Sequence, residues 1–165
     1  KEGHRAECSA LAFHPDGSLA LSSDWAGVLF LWDLRSGKAI HVFQGHVRKV
    51  SAAALAPDGI HAATVGVDNT CRIWDLRQRA LMKVCPGHSR ALSDIRFSPD
   101  AGDVFTTASL DGSVKLWRSR DHACLSTVQA DFGMVMSADF TEDSKSVVSV
   151  GYDKTIRLFS NKEDL

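Results

Sequence analysis

Residues 45–75 read GHVRKVSAAALAPDGIHAATVGVDNTCRIWD, and three landmarks of this stretch recur along the chain. The Gly-His pair returns with a period of 42 residues, and the Pro-Asp-Gly turn and the closing tryptophan repeat at nearly the same interval. The copies are Gly3-His4, Gly45-His46 and Gly87-His88; Pro15-Asp16-Gly17, Pro57-Asp58-Gly59 and Pro99-Asp100; and Trp32, Trp74, Trp117 and, in the fourth place, Phe159. A repeat of this length in a chain of 165 residues predicts four consecutive units, at residues 3–44, 45–86, 87–129 and 130–165.

Each unit contains short strand signals separated by turn signals. In the second unit the predicted strands are residues 50–55, 61–65, 71–76 and 81–85. The Pro-Asp-Gly turn after the first strand favours a tight hairpin, because proline presets φ and glycine accepts a left-handed φ. The alanine-rich segment 51–55 favours a helix by propensity alone, but it occupies the strand position of the other units. The sequence therefore predicts an all-β fold.

A second pattern appears when residues are counted back from the repeated aromatic position. A hydroxyl residue stands ten residues earlier, and an aspartate stands six residues earlier except in the first unit, which has Ala26 there. Buried indole, hydroxyl and imidazole groups all need hydrogen-bond partners, so we predict one internal network in each unit. Its members are His4, Ser22 and Trp32; His46, Thr64, Asp68 and Trp74; His88, Thr107, Asp111 and Trp117; and Ser149 and Asp153. The fourth network should be incomplete, since Ala130-Asp131 replaces Gly-His and Phe159 replaces tryptophan.

The same residues also suggest an enzyme. His46, Thr64 and Asp68 contain the groups of a hydroxyl–imidazole–carboxylate triad, with Thr64 as nucleophile. Catalysis needs one exposed nucleophile, however, and the same set recurs in the third unit, so we predict a structural role and no catalytic residue. The repeated histidines lie in different units and cannot converge on one metal ion. The absence of a P-loop, a zinc-ligand spacing or a glycine-rich nucleotide motif predicts no cofactor and no small-molecule substrate.

Composition excludes several other classes of protein. Hydrophobic residues make up 44% of the chain and charged residues 24%, which argues against disorder. The formal net charge is -1, so contact with a nucleic acid would need a local basic patch. No apolar run approaches the ~18 residues of a membrane span, and we predict no membrane partner. The four cysteines form no C-x-x-C pair, which favours reduced thiols over a zinc site.

The Gly-His pairs, the aspartate six residues before tryptophan, and Trp-Asp at 32–33 and 74–75 resemble the WD repeats of β-propeller proteins. The resemblance implies a WD-repeat β-propeller fold with four consecutive blades. Such rings have about seven blades and close by borrowing an outer strand from the amino-terminal part of the chain. Since the fourth unit ends after its third predicted strand, we expect the four blades to be the C-terminal part of a seven-bladed ring.

Particular stretches carry a narrower resemblance. Residues 12–20, 32–37 and 68–79 are similar to the carboxy-terminal repeats of the WD-repeat subunits of the spliceosomal U4/U6 small nuclear ribonucleoprotein. This implies a nuclear, non-catalytic scaffold in pre-mRNA splicing, with spliceosomal proteins of the U4/U6 and tri-snRNP particles as partners. An alternative comes from Trp-Asp-x-Arg at 32–35 and 74–77, which resembles the motif of WD-repeat substrate receptors of cullin-RING ubiquitin ligases.

Basic residues near the unit boundaries are the candidate partner-binding groups. The first set follows the Gly-His pairs and consists of Arg5, Arg48, Lys49 and Arg90; Arg77 and Arg79 follow the third strand of the second unit, on the opposite rim. These side chains are either ordinary solvated charges or a rim that binds an acidic protein segment or the phosphates of small nuclear RNA. Trp25 lies outside the repeated indole position, where it either packs over the first turn or serves as a binding anchor.

Overall fold

The computed structural model describes residues 3–130 and 133–160 of the chain, and this part contains fifteen strands joined by turns. The first sheet contains β1 (Cys8–Phe13), β2 (Leu19–Asp24), β3 (Val28–Asp33) and β4 (Lys38–Gln44). The second contains β5 (Val50–Leu55), β6 (His61–Gly66), β7 (Cys71–Asp75) and β8 (Ala80–Cys85). The third contains β9 (Leu92–Phe97), β10 (Val104–Ser109), β11 (Ser113–Arg118) and β12 (Cys124–Gln129). The fourth contains β13 (Val135–Phe140), β14 (Ser146–Gly151) and β15 (Ile156–Ser160).

Each sheet is an antiparallel meander whose strands pair in chain order. The first strands of successive sheets, β1, β5, β9 and β13, contact one another in that order. The four sheets are therefore consecutive blades arranged around the line of their first strands. The predicted all-β fold of four blades is confirmed. No helix in residues 3–130 and 133–160 is long and apolar enough to cross a membrane.

The hydrophobic core lies between the blades. Side chains alternate between the two faces of a strand, so Trp74 packs with Leu29 and Leu31 of the first blade, whereas the neighbouring Ile73 packs on the other face with Phe105 and Trp117 of the third. A third cluster, which includes Val114 and Val147, joins the third and fourth blades. Each internal blade thus gives its tryptophan to the preceding junction and aliphatic side chains to the following one.

The two terminal blades present apolar side chains on the faces that no other described blade covers. In the first blade Leu11 and Phe13 are exposed, while the alternate residues Ala10 and Ala12 pack against the second blade. In the fourth blade Ile156 and Leu158 are exposed, while Phe159 packs toward the third. The same alternation that buries one face of each terminal sheet therefore leaves the other face open.

The Pro-Asp-Gly turns have the predicted backbone geometry. Gly17 and Gly59 adopt φ values of 74° and 66°, in the left-handed region that favours glycine. In the third copy this conformation belongs to Gly102, after the extra residue of that turn. The alanine-rich segment forms strand β5, as expected, because pairing with β6 overrides its helical propensity. The other predicted strand ends in this blade lie within one residue of the observed ones.

The meander topology produces two loop faces. The Gly-His face carries the Gly-His segments between blades and the turns between the second and third strands of each blade. The Trp-Asp face, on the opposite side, carries the turns that follow the first and third strands.

Candidate functional site

The second blade contains a continuous chain of buried hydrogen bonds. Nε1 of Trp74 donates to Oγ1 of Thr64 at 2.8 Å, and Nε2 of His46 lies 2.8 Å from the same oxygen. Nδ1 of His46 lies 2.9 Å from the carboxylate of Asp68. Because an indole only donates and a carboxylate only accepts, the bonds run from indole to hydroxyl to imidazole to carboxylate. This direction requires a neutral imidazole with its proton on Nδ1.

The third blade repeats this arrangement and extends it. His88 lies 2.8 Å from Oγ1 of Thr107 and 3.0 Å from the carboxylate of Asp111, and Trp117 donates to Thr107 at 2.9 Å. Ser113 adds a hydroxyl that donates to Asp111 at 2.6 Å. The sequence pattern did not single out Ser113, although it stands two residues after the aspartate, where Thr70 stands in the second blade.

The first blade also contains a carboxylate, contrary to the expectation from its sequence. His4 lies 2.6 Å from Oγ of Ser22, and Trp32 donates to that oxygen at 2.8 Å. Nδ1 of His4 donates to Asp24 at 2.7 Å. Asp24 is the last residue of β2, two positions before Ala26, and its side chain reaches back to the histidine. The expectation that this blade lacks its aspartate is therefore wrong, and a carboxylate near the altered position was the signal for it.

The fourth blade is held differently. Asp153 accepts hydrogen bonds from Nη2 of Arg157 and from Oγ1 of Thr155, both at 2.6 Å. Arg157 also donates to the carbonyl oxygen of Ala130. Ser149 is buried, and Phe159 has no donor group for it. Asp131 lies outside the described residues. An arginine–aspartate pair is thus the polar link in the blade that has no tryptophan at the repeated position.

Burial determines the protonation of these groups. Burial is the largest influence on His46 and His88 and lowers the pKa of both imidazoles, against the opposing charges of Asp68 and Asp111. Burial by itself would raise the pKa of the Asp68 carboxyl, but His46 and Thr70 together lower it. The second and third blades therefore each pair a neutral imidazole with an ionised carboxylate.

The buried networks are inaccessible to a substrate. Thr64 has no exposed surface, and its oxygen already accepts a bond from Trp74 while its proton is directed at His46. Thr107 is enclosed in the same way in the third blade. These groups brace the strands of each blade. Among the residues that the structure describes, no three His, Cys, Asp or Glu side chains are grouped to hold a metal ion.

The Gly-His face brings Trp25 and Lys49 together. Nζ of Lys49 lies 4.5 Å from the centroid of the Trp25 ring, which is 54% exposed. The Trp25 ring therefore contacts a side chain of the second blade. Arg48 is exposed beside this pair, and Arg5 and Arg90 are exposed on the same face.

The Trp-Asp face presents Arg77 and Arg79. The carboxylate of Asp75 accepts hydrogen bonds from the amides of Arg77 and Gln78 at 2.8 and 2.7 Å, which shapes the turn after β7. The first blade repeats this geometry, because Asp33 accepts a bond from the amide of Arg35 at 3.0 Å. The candidate binding residues therefore form two separate sets on opposite faces, as their sequence positions indicate.

Comparison with known proteins agrees with the repeat pattern. The family described as WD domain, G-beta repeat matches residues 1–33, 37–75, 79–118 and 122–160. The second match spans β4 to β7, so a sequence repeat includes the outer strand of one blade and three strands of the next. The predicted resemblance to WD repeats is confirmed.

Two curated relatives match shorter stretches. DDB1- and CUL4-associated factor 13 of Dictyostelium discoideum is 43% identical over 53 residues, which are 32% of this chain and 12% of the relative. A U4/U6 small nuclear ribonucleoprotein PRP4-like protein of Arabidopsis thaliana is 38% identical over 60 residues, 36% of this chain and 11% of the relative. The matched stretches thus span about a tenth of the length of either relative.

Proposed function

The chain belongs to the WD-repeat family, described as WD domain, G-beta repeat, and from this membership we propose that it is a non-catalytic scaffold of the spliceosomal U4/U6 particle. WD-repeat domains mediate protein–protein interactions. In this proposal the protein acts in the nucleus, in pre-mRNA splicing, and its partners are spliceosomal proteins of the U4/U6 and tri-snRNP particles.

The observation that carries the scaffold role is the division of polar groups between interior and surface. The residues that could carry catalytic chemistry, such as His46 and Thr64, are buried and hydrogen-bonded to each other inside the blades. The exposed charged and aromatic groups, such as Trp25, Arg48 and Arg77, lie instead on the two loop faces. A protein whose polar networks are buried and whose charged and aromatic side chains are exposed on its loop faces is suited to binding partners rather than to transforming substrates.

Two likenesses support the spliceosomal assignment. Residues 68–79, DNTCRIWDLRQR, resemble a carboxy-terminal repeat of pre-mRNA-processing factor four, the WD-repeat subunit of the U4/U6 particle. The PRP4-like relative from Arabidopsis thaliana carries the name of the same particle. Direct contact with small nuclear RNA through a basic face is the alternative to contact with its proteins.

The four blades are proposed to be the C-terminal part of a seven-bladed ring. The exposed Leu11 and Phe13 on one terminal face and Ile156 and Leu158 on the other support this proposal, because they match the kinds of side chain buried at the internal junctions. We expect residues 1–165 expressed alone to self-associate through these faces. A soluble monomer that melts cooperatively would contradict the partial ring.

A second candidate function is substrate recognition for a cullin-RING ubiquitin ligase. Arg35 and Arg77 occupy the Trp-Asp-x-Arg motifs, and both are exposed on the Trp-Asp face in turns shaped by an aspartate. The relative from Dictyostelium discoideum is named as a DDB1- and CUL4-associated factor. This reading would place a ligase adaptor on the Trp-Asp face.

Affinity purification of the tagged protein from nuclear extract separates the two candidates. We expect U4/U6 proteins and U4/U6 RNA to co-purify and a cullin adaptor to be absent. Recovery of the adaptor without spliceosomal components, abolished by Arg35→Glu with Arg77→Glu, would establish the second candidate instead. Arg48→Glu with Lys49→Glu serves as the matched charge reversal on the Gly-His face.

A further inference from the structure

We propose that the Gly-His face of the first two blades binds an acidic peptide segment. Trp25 and Val47 would contact an apolar side chain of the segment, and Arg48 and Lys49 would pair with its carboxylates. This inference deepens the proposed scaffold function by naming one binding surface and the chemistry of its partner.

The turn after β2 holds Trp25 at the surface of the Gly-His face. Asp24 turns inward to His4, and its second oxygen accepts bonds from the amides of Ala26 at 2.9 Å and Val28 at 3.0 Å. The amide of Trp25 donates to the carbonyl of Glu7 at 3.0 Å. The backbone of this turn is therefore held at several points while the indole remains 54% exposed. A rigid, half-exposed tryptophan loses little side-chain entropy on binding, which favours it as an anchor.

The turn that carries Trp25 lies in close contact with the second blade. Gly27 has a φ of 84°, and a Cβ built there would lie 2.8 Å from the carbonyl carbon of His46 and 2.9 Å from the carbonyl oxygen of Arg48. Only glycine permits this approach. The turn of the first blade therefore abuts the Gly-His segment of the second, and it brings the Lys49 ammonium over the Trp25 ring.

The patch formed by Trp25, Val47, Arg48 and Lys49 carries exposed positive charge. Asp24 directly precedes Trp25, and Asp68 accepts the amide of Val47 at 3.3 Å, but their side chains are only 2% and 4% exposed and each is bound to its histidine. The cations of the patch remain accessible to a partner, since Arg48 is exposed and Lys49 is partly exposed. Glu7 is an exposed acid on the same face, but Arg48 and Lys49 outnumber it. The patch is therefore locally basic although the whole chain has a net charge of -1.

The chemistry of the patch favours a peptide over RNA as its partner. Val47 is 78% exposed beside the cations and offers an aliphatic surface with no group that reads a base. The Lys49 ammonium covers a face of the Trp25 ring, where a nucleic-acid base would otherwise stack. An apolar side chain flanked by carboxylates matches both the exposed hydrophobic surface and the positive charge.

Fluorescence anisotropy with labelled probes tests the proposal on the complete propeller that contains these four blades. The first probe is a twelve-residue peptide of Asp and Glu with two central Leu residues, and the second has Asn and Gln in place of the acids. The third is a single-stranded oligouridine of the same length. We expect the acidic peptide to bind at least tenfold more tightly than its neutral counterpart and than the RNA.

Variants locate the site. Trp25→Ala and the pair Arg48→Glu with Lys49→Glu should each raise the Kd for the acidic peptide at least tenfold. The matched pair Arg77→Glu with Arg79→Glu, on the opposite face, should change it less than twofold. Thermal melting of every variant verifies that these exposed substitutions leave the fold intact.

Three outcomes would overturn the proposal. They are no difference between acidic and neutral peptides, a peptide Kd unaffected by Trp25→Ala, and tighter binding of the RNA that the same variants abolish. Co-purification of U4/U6 components with the Trp25→Ala protein would leave the scaffold function standing while this surface failed. If U4/U6 components do not co-purify with the unaltered protein, the proposed function itself is wrong.

Discussion

The carboxylate of Asp24 lies 2.7 Å from Nδ1 of His4, and it completes the first blade from a position two residues earlier than Asp68 completes the second. The two aspartates belong to different elements, since Asp24 is the last residue of strand β2 and Asp68 lies in the turn after strand β6. Both carboxylates nevertheless accept the Nδ1 proton of the histidine. The geometry of the hydrogen bond is therefore maintained although the sequence position is not.

Replacement of Asp24 tests this substitute. Asp24→Ala leaves the His4 Nδ1–H and the amides of Ala26 and Val28 without their acceptor, so we expect the free energy of unfolding to fall by about 1–3 kcal/mol. Urea denaturation of the complete propeller that contains these four blades measures this loss, as it does for the other substitutions below. Asp103→Ala, an exposed control, should change stability by less than about 0.5 kcal/mol. Equal effects of the two substitutions would show that Asp24 does not support the blade.

The indole donor of the second blade gives a further prediction. Trp74→Phe keeps most of the apolar contact but leaves Thr64 without its donor, so it should reduce stability by about 1–3 kcal/mol. The cycle with Thr64→Val should reveal coupling, because each change removes the same bond. Phe159→Trp should add little stability, since the fourth blade links Asp153 to Arg157 instead. Additive losses in the cycle would argue against a connected network.

Gly27 and Gly17 have similar positive φ values, so replacing each with alanine separates the cost of backbone strain from the cost of a steric clash. Gly27→Ala combines a left-handed backbone with a clash against His46 and Arg48, and we expect a loss of roughly 3 kcal/mol or more. Gly17→Ala has a φ of 74° with no neighbouring atom within 4 Å of the built Cβ, and should cost only about 1 kcal/mol. Chemical denaturation of both variants measures the difference. Similar losses would mean that the two blades do not meet closely at Gly27.

The buried histidines should make the protein sensitive to acid. Folding lowers the pKa of His46 and His88 below the ordinary 6.5. Below pH 6.5 these two imidazoles therefore bind protons in the unfolded chain more readily than in the folded protein. Their stabilising effect is complete above pH 6.5 and is lost as the pH falls toward the lowered pKa, by at most about 2 kcal/mol per histidine between pH 7 and pH 5. Urea midpoints at several pH values measure the loss. NMR titration that finds both imidazoles protonating above pH 6.5 would contradict it.

His14 should have the opposite pH dependence. Burial alone lowers the pKa of this imidazole, but its bonds to the Gly59 carbonyl and to Asp16 outweigh burial and raise it. The stabilisation is therefore complete below pH 6.5 and is lost as the pH rises through the raised pKa. His14→Gln should reduce stability by about 0.5–1.5 kcal/mol at pH 6 and by less at pH 8.5. A larger loss at the higher pH would show that the protonated form is not the bound one.

The sequence by itself determined the number of blades, their strand composition and the repeated histidine, hydroxyl and tryptophan positions. These features follow from periodicity, because every copy must place the same groups at the same points of a strand or turn. The segment 51–55 illustrates this, since its place in the repeat predicted a strand that its alanine content did not.

Only the tertiary structure decided which groups complete each network and which surface they leave exposed. Asp24 replaces the missing turn aspartate because its side chain reaches back across 20 residues of sequence to His4. The pairing of Trp25 with Lys49 depends on the packing of two blades at Gly27, a distance between backbones that local sequence does not encode. Spacing along the chain specifies the position of each Cα within a strand, whereas side-chain reach and packing between blades determine which atoms meet.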